Sequence, residues 1–119
     1  MAPYEVMFFL VMGEGPVYGY EVAARFRKMT QGHIKMSYGT IYPFLRRMEQ
    51  RGIITSRKDE KSGRVYYELT RRGKETRERV SKRLAECQED MEEKLLGILA
   101  IHEELFGRKA LNELLRRVE

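Results

Sequence analysis

The run Ser37-Tyr38-Gly39-Thr40-Ile41-Tyr42-Pro43-Phe44-Leu45-Arg46-Arg47-Met48-Glu49 holds the residue types best suited to grip a polyanion. Wound as a helix, Ile41, Leu45 and Met48 recur on one face with Phe44 beside them, while Gly39, Tyr42, Pro43, Arg46, Arg47 and Gln50 fall on the other. The first is a core face. The second is cationic and aromatic and carries no acid, which suits the groove of a duplex. An arginine there forks onto guanine O6 and N7 or onto a phosphate, and spacing alone does not choose between them. Tyr42, between Gly39 and Arg46, is placed for a phosphate hydrogen bond or a base contact. Tyr38 and Thr40 serve equally as phosphate contacts or as capping and packing residues. Ser37 or Thr40 is the natural N-cap, and the amides left open at such a helix start favour a phosphate. Pro43 lacks an amide hydrogen and crowds the carbonyl four residues earlier, which belongs to Gly39, the least bulky choice. Alternatively the helix starts near Thr40 and Pro43 falls in its first turn.

Other chemistries lack their residues. A single cysteine, Cys87, excludes an internal disulfide and any multi-cysteine zinc site, and two histidines, His33 and His102, make too poor a set for a metal within one chain. Cys87 lies among Glu86, Glu89 and Asp90, acids that discourage a thiolate, and reads as a small packing residue. No nucleophile–base pair stands out, and Gly13 and Gly15 lack the strand before and helix after that a nucleotide loop needs. The expectation is a non-enzyme with no cofactor and no metal. No run of 18 apolar residues suggests a membrane span, and the start Met1-Ala2-Pro3-Tyr4-Glu5 has no basic leader region, so a cytoplasmic protein is expected. The 119 residues carry a net charge of +5, divided as +4 over residues 1–70, +5 over 71–83 and −4 over 84–119. The basic part is the one to meet a polyanion.

The elements that must hold the cationic helix are set by patterning. Residues 4–12 are apolar nearly all round, which predicts a helix buried against the chain's own core and against a second subunit as well, with Val6, Phe9 and Leu10 at that interface; the alternative for so short a run rich in Phe and Val is a strand. Gly13-Glu14-Gly15-Pro16 stops it. A second helix opens at Tyr18-Gly19-Tyr20-Glu21, buries Val22, Phe26 and Met29, and ends at Gln31-Gly32. Tyr18 at its start faces a nucleic-acid backbone, whereas Tyr20 packs. A short turn then leads into the cationic helix, giving the parts of a helix-turn-helix. Ile53–Lys58 and the alternating Arg64–Leu69 flank a charged loop and predict a two-stranded ribbon that leans on the helices through Ile53 or Ile54, Val65, Tyr67 and Leu69. Lys58, Lys61 and Arg64 are left near its tip, with Lys61 and Arg64 the wing contacts to a flanking backbone. Thr70 is placed to cap the next helix. From Arg71 to Phe106 one long amphipathic helix is expected, its seam formed by Leu84, Met91, Leu95, Ile98 and Leu105, with His102 packing near it. Nothing else in so short a chain covers that seam, so a second copy is expected to do so.

The order and wording of these segments resemble the PadR family of transcriptional regulators. The resemblance is carried by Gly15-Pro16-Val17-Tyr18-Gly19-Tyr20-Glu21-Val22, by the Ser37–Glu49 run, by Gly52-Ile53-Ile54, and by Gly63-Arg64-Val65-Tyr66-Tyr67-Glu68-Leu69-Thr70-Arg71-Arg72-Gly73. It implies a mainly α fold with a small two-stranded antiparallel wing: a winged helix-turn-helix over 1–73 and a C-terminal dimerisation region over 74–119. It also implies a homodimer, built through the first and C-terminal helices, that binds operator DNA and represses a nearby promoter. Some members of the family take planar aromatic effectors near the dimer interface, partly through tryptophan, a residue this chain does not contain.

Overall fold

The computed structural model describes residues 3–13 and 15–119. Met1 and Ala2, used in reading the start of the chain, and Glu14 in the stop after the first helix lie outside them. The chain divides into two compact units, the first ending at Arg83 and the second running Leu84–Glu119.

In the first unit, α1 (Pro3–Met12) precedes β1 (Val17–Tyr18), α2 (Gly19–Met29), α3 (Tyr38–Gln50), β2 (Ile54–Lys58), β3 (Val65–Leu69) and α4 (Arg71–Lys82). Its core draws on all of the helices: Val6, Phe8, Phe9, Val11 and Met12 from α1, Val22 and Phe26 from α2, Ile41, Leu45 and Met48 from α3, and Val80 from α4. Phe8 meets Phe44 of α3 edge to face, centroids 5.3 Å apart, while α3 packs chiefly on α2 and β2. Val6 and Phe9, expected at a subunit interface, are consumed by this core, and of the three residues named there only Leu10 is exposed, at 56%. Met29 is exposed rather than inward because it is the last residue of α2, where the helix leaves the core. There Gln31 and Gly32 both take positive φ, and the Gly32 amide donates to the Arg27 carbonyl at 2.7 Å, closing the helix end.

Among the described residues, three strands form one antiparallel sheet, ordered β1-β3-β2, rather than the two-stranded ribbon expected. Val17 and Tyr18 pair with Tyr67 and Tyr66, and Ile54 through Lys58 pair with Leu69 back through Val65. A two-residue strand carries no periodicity to read. The third strand anchors the wing to the start of α2. On the far side Thr70 caps α4 by accepting from the Gly73 amide at 3.0 Å and donates to the Gly52 carbonyl at 2.6 Å. The Thr70 amide adds a bond to the Ile53 carbonyl at 3.0 Å.

The uninterrupted Arg71–Phe106 helix does not form: α4 ends at Arg83, and α5 (Leu84–Phe106) starts afresh before α6 (Arg108–Val118). The inward residues of α4, Gly73 and Val80, serve the first unit's core, whereas the apolar stripe of α5 belongs to the second. The division between the two compact units falls after Arg83. In the second unit Gly107 turns with φ 91° between α5 and α6, its amide bonded to the Glu103 carbonyl at 2.7 Å. Among the described residues of this unit only Leu111 of α6 is buried. No helix among the described residues is long and apolar enough to cross a membrane.

Candidate nucleic-acid interface

α3 turns its cationic face outward, as its spacing predicts. Tyr38 is 62% exposed and Tyr42 40%, and Arg46 and Arg47 are both exposed. Ser37 holds the N-cap position with an extended backbone, yet its side chain caps no amide; its hydroxyl instead sits 3.2 Å from that of Thr40. The first turn contains no acid, so its open amides keep their partial positive charge. Pro43 lies well inside the helix rather than in its first turn. It removes the amide that would have bonded the Gly39 carbonyl, and Gly39 itself is exposed with space beside it.

The two arginines part company, because adjacent residues on a helix point about 100° apart. Arg46 shares the side of α3 that meets the wing. There Tyr67 of β3 lies among Tyr42, Glu49 and Arg46, and burial, followed by the Tyr42 and Glu49 charges, pushes its phenol above the ordinary value. Glu49 ties this edge down by accepting from the Ser56 amide of β2 at 3.0 Å. Arg47 leans the other way. Its guanidinium lies 5.9 Å from the Phe44 ring centroid and borders a cavity of about 520 Å³ whose walls include Ile34, Met36 and Met48.

The wing base is a cluster of aromatics. Tyr18 and Tyr66, opposed across β1 and β3, stack with centroids 4.1 Å apart and pair through their hydroxyls. That bond, with a smaller contribution from desolvation, pushes the Tyr66 phenol up to about 12. Tyr20 stacks on Tyr18 at 5.6 Å but remains 43% exposed, instead of packing inside. Gly19 lets Tyr42 in: a methyl group there would stand 2.7 Å from the Tyr42 ring.

Arg64, expected loose near the wing tip, is held at this base. Its guanidinium lies 5.2 Å from the Tyr18 centroid and 5.5 Å from that of Tyr20, and its Nη1 donates to the Tyr20 hydroxyl at 3.4 Å. Lys61 does sit on the exposed loop. Asp59 builds that loop: its carboxylate accepts from the Ser62 hydroxyl at 2.8 Å and the Lys61 amide at 3.2 Å, and these bonds hold it below the usual carboxylate range. Tyr66 carries no role in the sequence reading, and Tyr20 is read there as a packing residue. The only hint was their place in the two aromatic runs flanking Gly19 and Val65. Of the sites assigned to the seam, Leu84, Met91, Leu95, Ile98 and Leu105 are exposed on α5, and His102 is half-buried against Phe106 at 5.0 Å.

A helical core, a presented helix with an acid-free cationic face and a wing beside it define a winged helix-turn-helix protein. The family model described as transcriptional regulator PadR-like matches residues 9–79, and the chain belongs to that family. Its fold is similar to that of a transcriptional regulator from Clostridium thermocellum, with 24% identity over 75% of this chain and 86% of that one and a TM-score of 0.63. A PadR-like transcriptional regulator from Bacillus cereus is 26% identical over 77% of this chain and 90% of that one, with a TM-score of 0.59. Bacillus subtilis PadR, solved in complex with operator DNA, is 21% identical over 65% of this chain and 45% of that one, with a TM-score of 0.55. No curated protein matches the chain.

Proposed function

We propose that this PadR-family regulator is a homodimeric repressor that reads a specific operator by placing α3 in a major groove. The observation that carries the reading is the exposed, acid-free face of Tyr38, Tyr42 and Arg46, fixed at its back by Ile41, Leu45 and Met48 and bordered by the wing. Membership of a family that includes an operator-bound structure supports it. Ser37, Gly39 and Thr40 bring the start of α3 to a phosphate, and Pro43 keeps the exposed face free of a further side-chain amide or acid. Tyr18, Lys61 and Arg64 hold the flanking backbone. Arg46, on the wing side, is the arginine aimed at bases, and Arg47, beside Phe44, binds phosphate.

A second copy covers the apolar stripe of α5. Twofold pairing then sets two recognition helices about 34–36 Å apart, one turn of the duplex. A small apolar effector seated against that stripe would act on the pairing.

The test is operator selection from a random duplex library, followed by binding of single variants. Arg46→Ala should cost about 1–3 kcal/mol and relax preference at one or two positions. Arg47→Ala should weaken all sequences alike and lower the salt dependence. Equal binding by both variants and the parent would remove α3 from the interface.

A further inference from the structure

We propose that the cleft between the wing base and the start of α2 is a seat for one backbone phosphate of DNA, with Arg64 as its cation and Tyr20 and Tyr66 as the residues that position it. The cleft, about 690 Å³ and open to solvent, is bordered by Tyr18, Gly19, Tyr20, Tyr42, Gly63 and Arg64. The inference rests on the DNA-binding reading above, which already gives Arg64 to the flanking backbone, and adds to it Tyr20 and Tyr66 as the residues that position that cation.

Arg64 is a cation with no internal use. Among the described residues it enters no ion pair, while the nearby Glu21 is engaged by the Tyr18 amide at 3.1 Å and by Arg25 at 3.8 Å. Of the five N–H donors a guanidinium carries, one meets the Tyr20 hydroxyl, and among the described residues the others donate to no protein acceptor. A long side chain normally loses rotamer freedom on binding an anion. Here the faces of Tyr18 and Tyr20 already hold it, so a good part of that cost is met in the free protein. The rings are themselves braced. Tyr66 stacks on Tyr18 from the neighbouring strand and shares a hydroxyl hydrogen bond with it, which fixes the ring that Arg64 rests on.

The chemistry selects the ligand. A planar fork of donors on an exposed arginine, held beside phenol rings, fits a singly charged, multi-oxygen anion. The cleft opens on the side of the α3 residue Tyr42, so an anion seated there lies alongside whatever α3 binds. A phosphodiester flanking the groove meets both conditions. A carboxylate on a protein partner is the rival ligand, and the experiment separates the two.

Non-specific binding reads phosphate contacts directly, so no operator is needed. Binding of the full chain to a mixed-sequence DNA duplex is measured by fluorescence anisotropy across a salt series. Arg64→Ala should lower the slope of log affinity against log salt by about 0.9, the loss of one neutralised phosphate. Tyr20→Leu should weaken binding by about two- to five-fold, the equivalent of one exposed cation–π contact, and Tyr20→Phe should restore most of it. In the Arg64→Ala background Tyr20→Leu should change nothing further, and thermal melting of each variant should match the parent. An unchanged slope for Arg64→Ala with the parent still bound overturns the phosphate seat and leaves the DNA reading standing; that is also the result a protein-carboxylate site would give. Additive losses for Tyr20→Leu and Arg64→Ala overturn the positioning role. A parent that binds no duplex overturns the DNA reading itself.

Discussion

Single atoms decide what the aromatic and cationic residues can do. A glycine at 19 admits the Tyr42 ring to within van der Waals reach of the α2 start, and any side chain there would evict it. Arg46 and Arg47 are neighbours in sequence and strangers in space, one beside Tyr67 and the other over Phe44. The Tyr18–Tyr66 hydroxyl pair is open to titration. The raised phenol of Tyr66, about 12 against an ordinary 10.0, means that the pair helps the fold fully below pH 10 and that this help is lost as pH climbs from there through 12. Tyrosinate absorbance should therefore show, beyond the raised Tyr67 phenol, a last step near 12 from Tyr66, and Tyr18→Phe should remove that last step. If the parent shows no step near 12, or keeps it in Tyr18→Phe, the hydroxyl pair is absent in solution.

The elements matter for what they are fastened to. β3 is the hub of the first unit's functional face: β1 ties it to α2, and β2 ties it through Ser56 to Glu49 of α3. Wing and recognition helix thus form one bonded assembly, which keeps the aromatic base in register with the α3 face. The joint between wing and α4 is equally tight. A Cβ at Gly73 would stand 2.1 Å from the Ile53 carbonyl oxygen, a backbone atom with nowhere to retreat. Gly73→Ala should then destabilise the first unit by about 1–3 kcal/mol or more, read as a lower urea midpoint with an unchanged m-value. A midpoint equal to the parent's would mean that α4 docks less closely than described.

At the scale of the molecule, charge and apolar surface are segregated. Residues 1–83 carry all of the positive excess, and residues 84–119 carry a net −4. The second unit buries only Leu111 among its described residues while leaving Leu95, Leu96, Ile98, Ile101, Leu105 and Phe106 at least 54% exposed. A hairpin of two helices with so little interior is poorly stable alone, and the proposed dimer would bury that stripe against a second copy. Ile98→Glu with Leu105→Glu should convert a dimer to a monomer in sedimentation equilibrium, lower the melting temperature and weaken operator binding, while non-specific duplex binding per subunit persists. A parent that sediments as a monomer would remove the twofold arrangement and the paired half-sites with it.

Much of this protein was legible in one dimension. The helical period of Ile41, Leu45 and Met48 and the strand alternation over Val65–Leu69 are properties of local geometry, and so is the capping role of Thr70; local spacing reports them directly. The split of the long C-terminal helix was not legible, because Arg83, where the break falls, is an ordinary helix residue with no local stop signal. Nor were the third strand, the divergence of Arg46 from Arg47 or the capture of Arg64 by Tyr18 and Tyr20. Each depends on what a distant segment brings alongside. Amino-acid order determined which faces are apolar and which are cationic, since that is a matter of period alone. Tertiary packing decided which cations are aimed and which are held, since it depends on contacts between residues far apart in the chain.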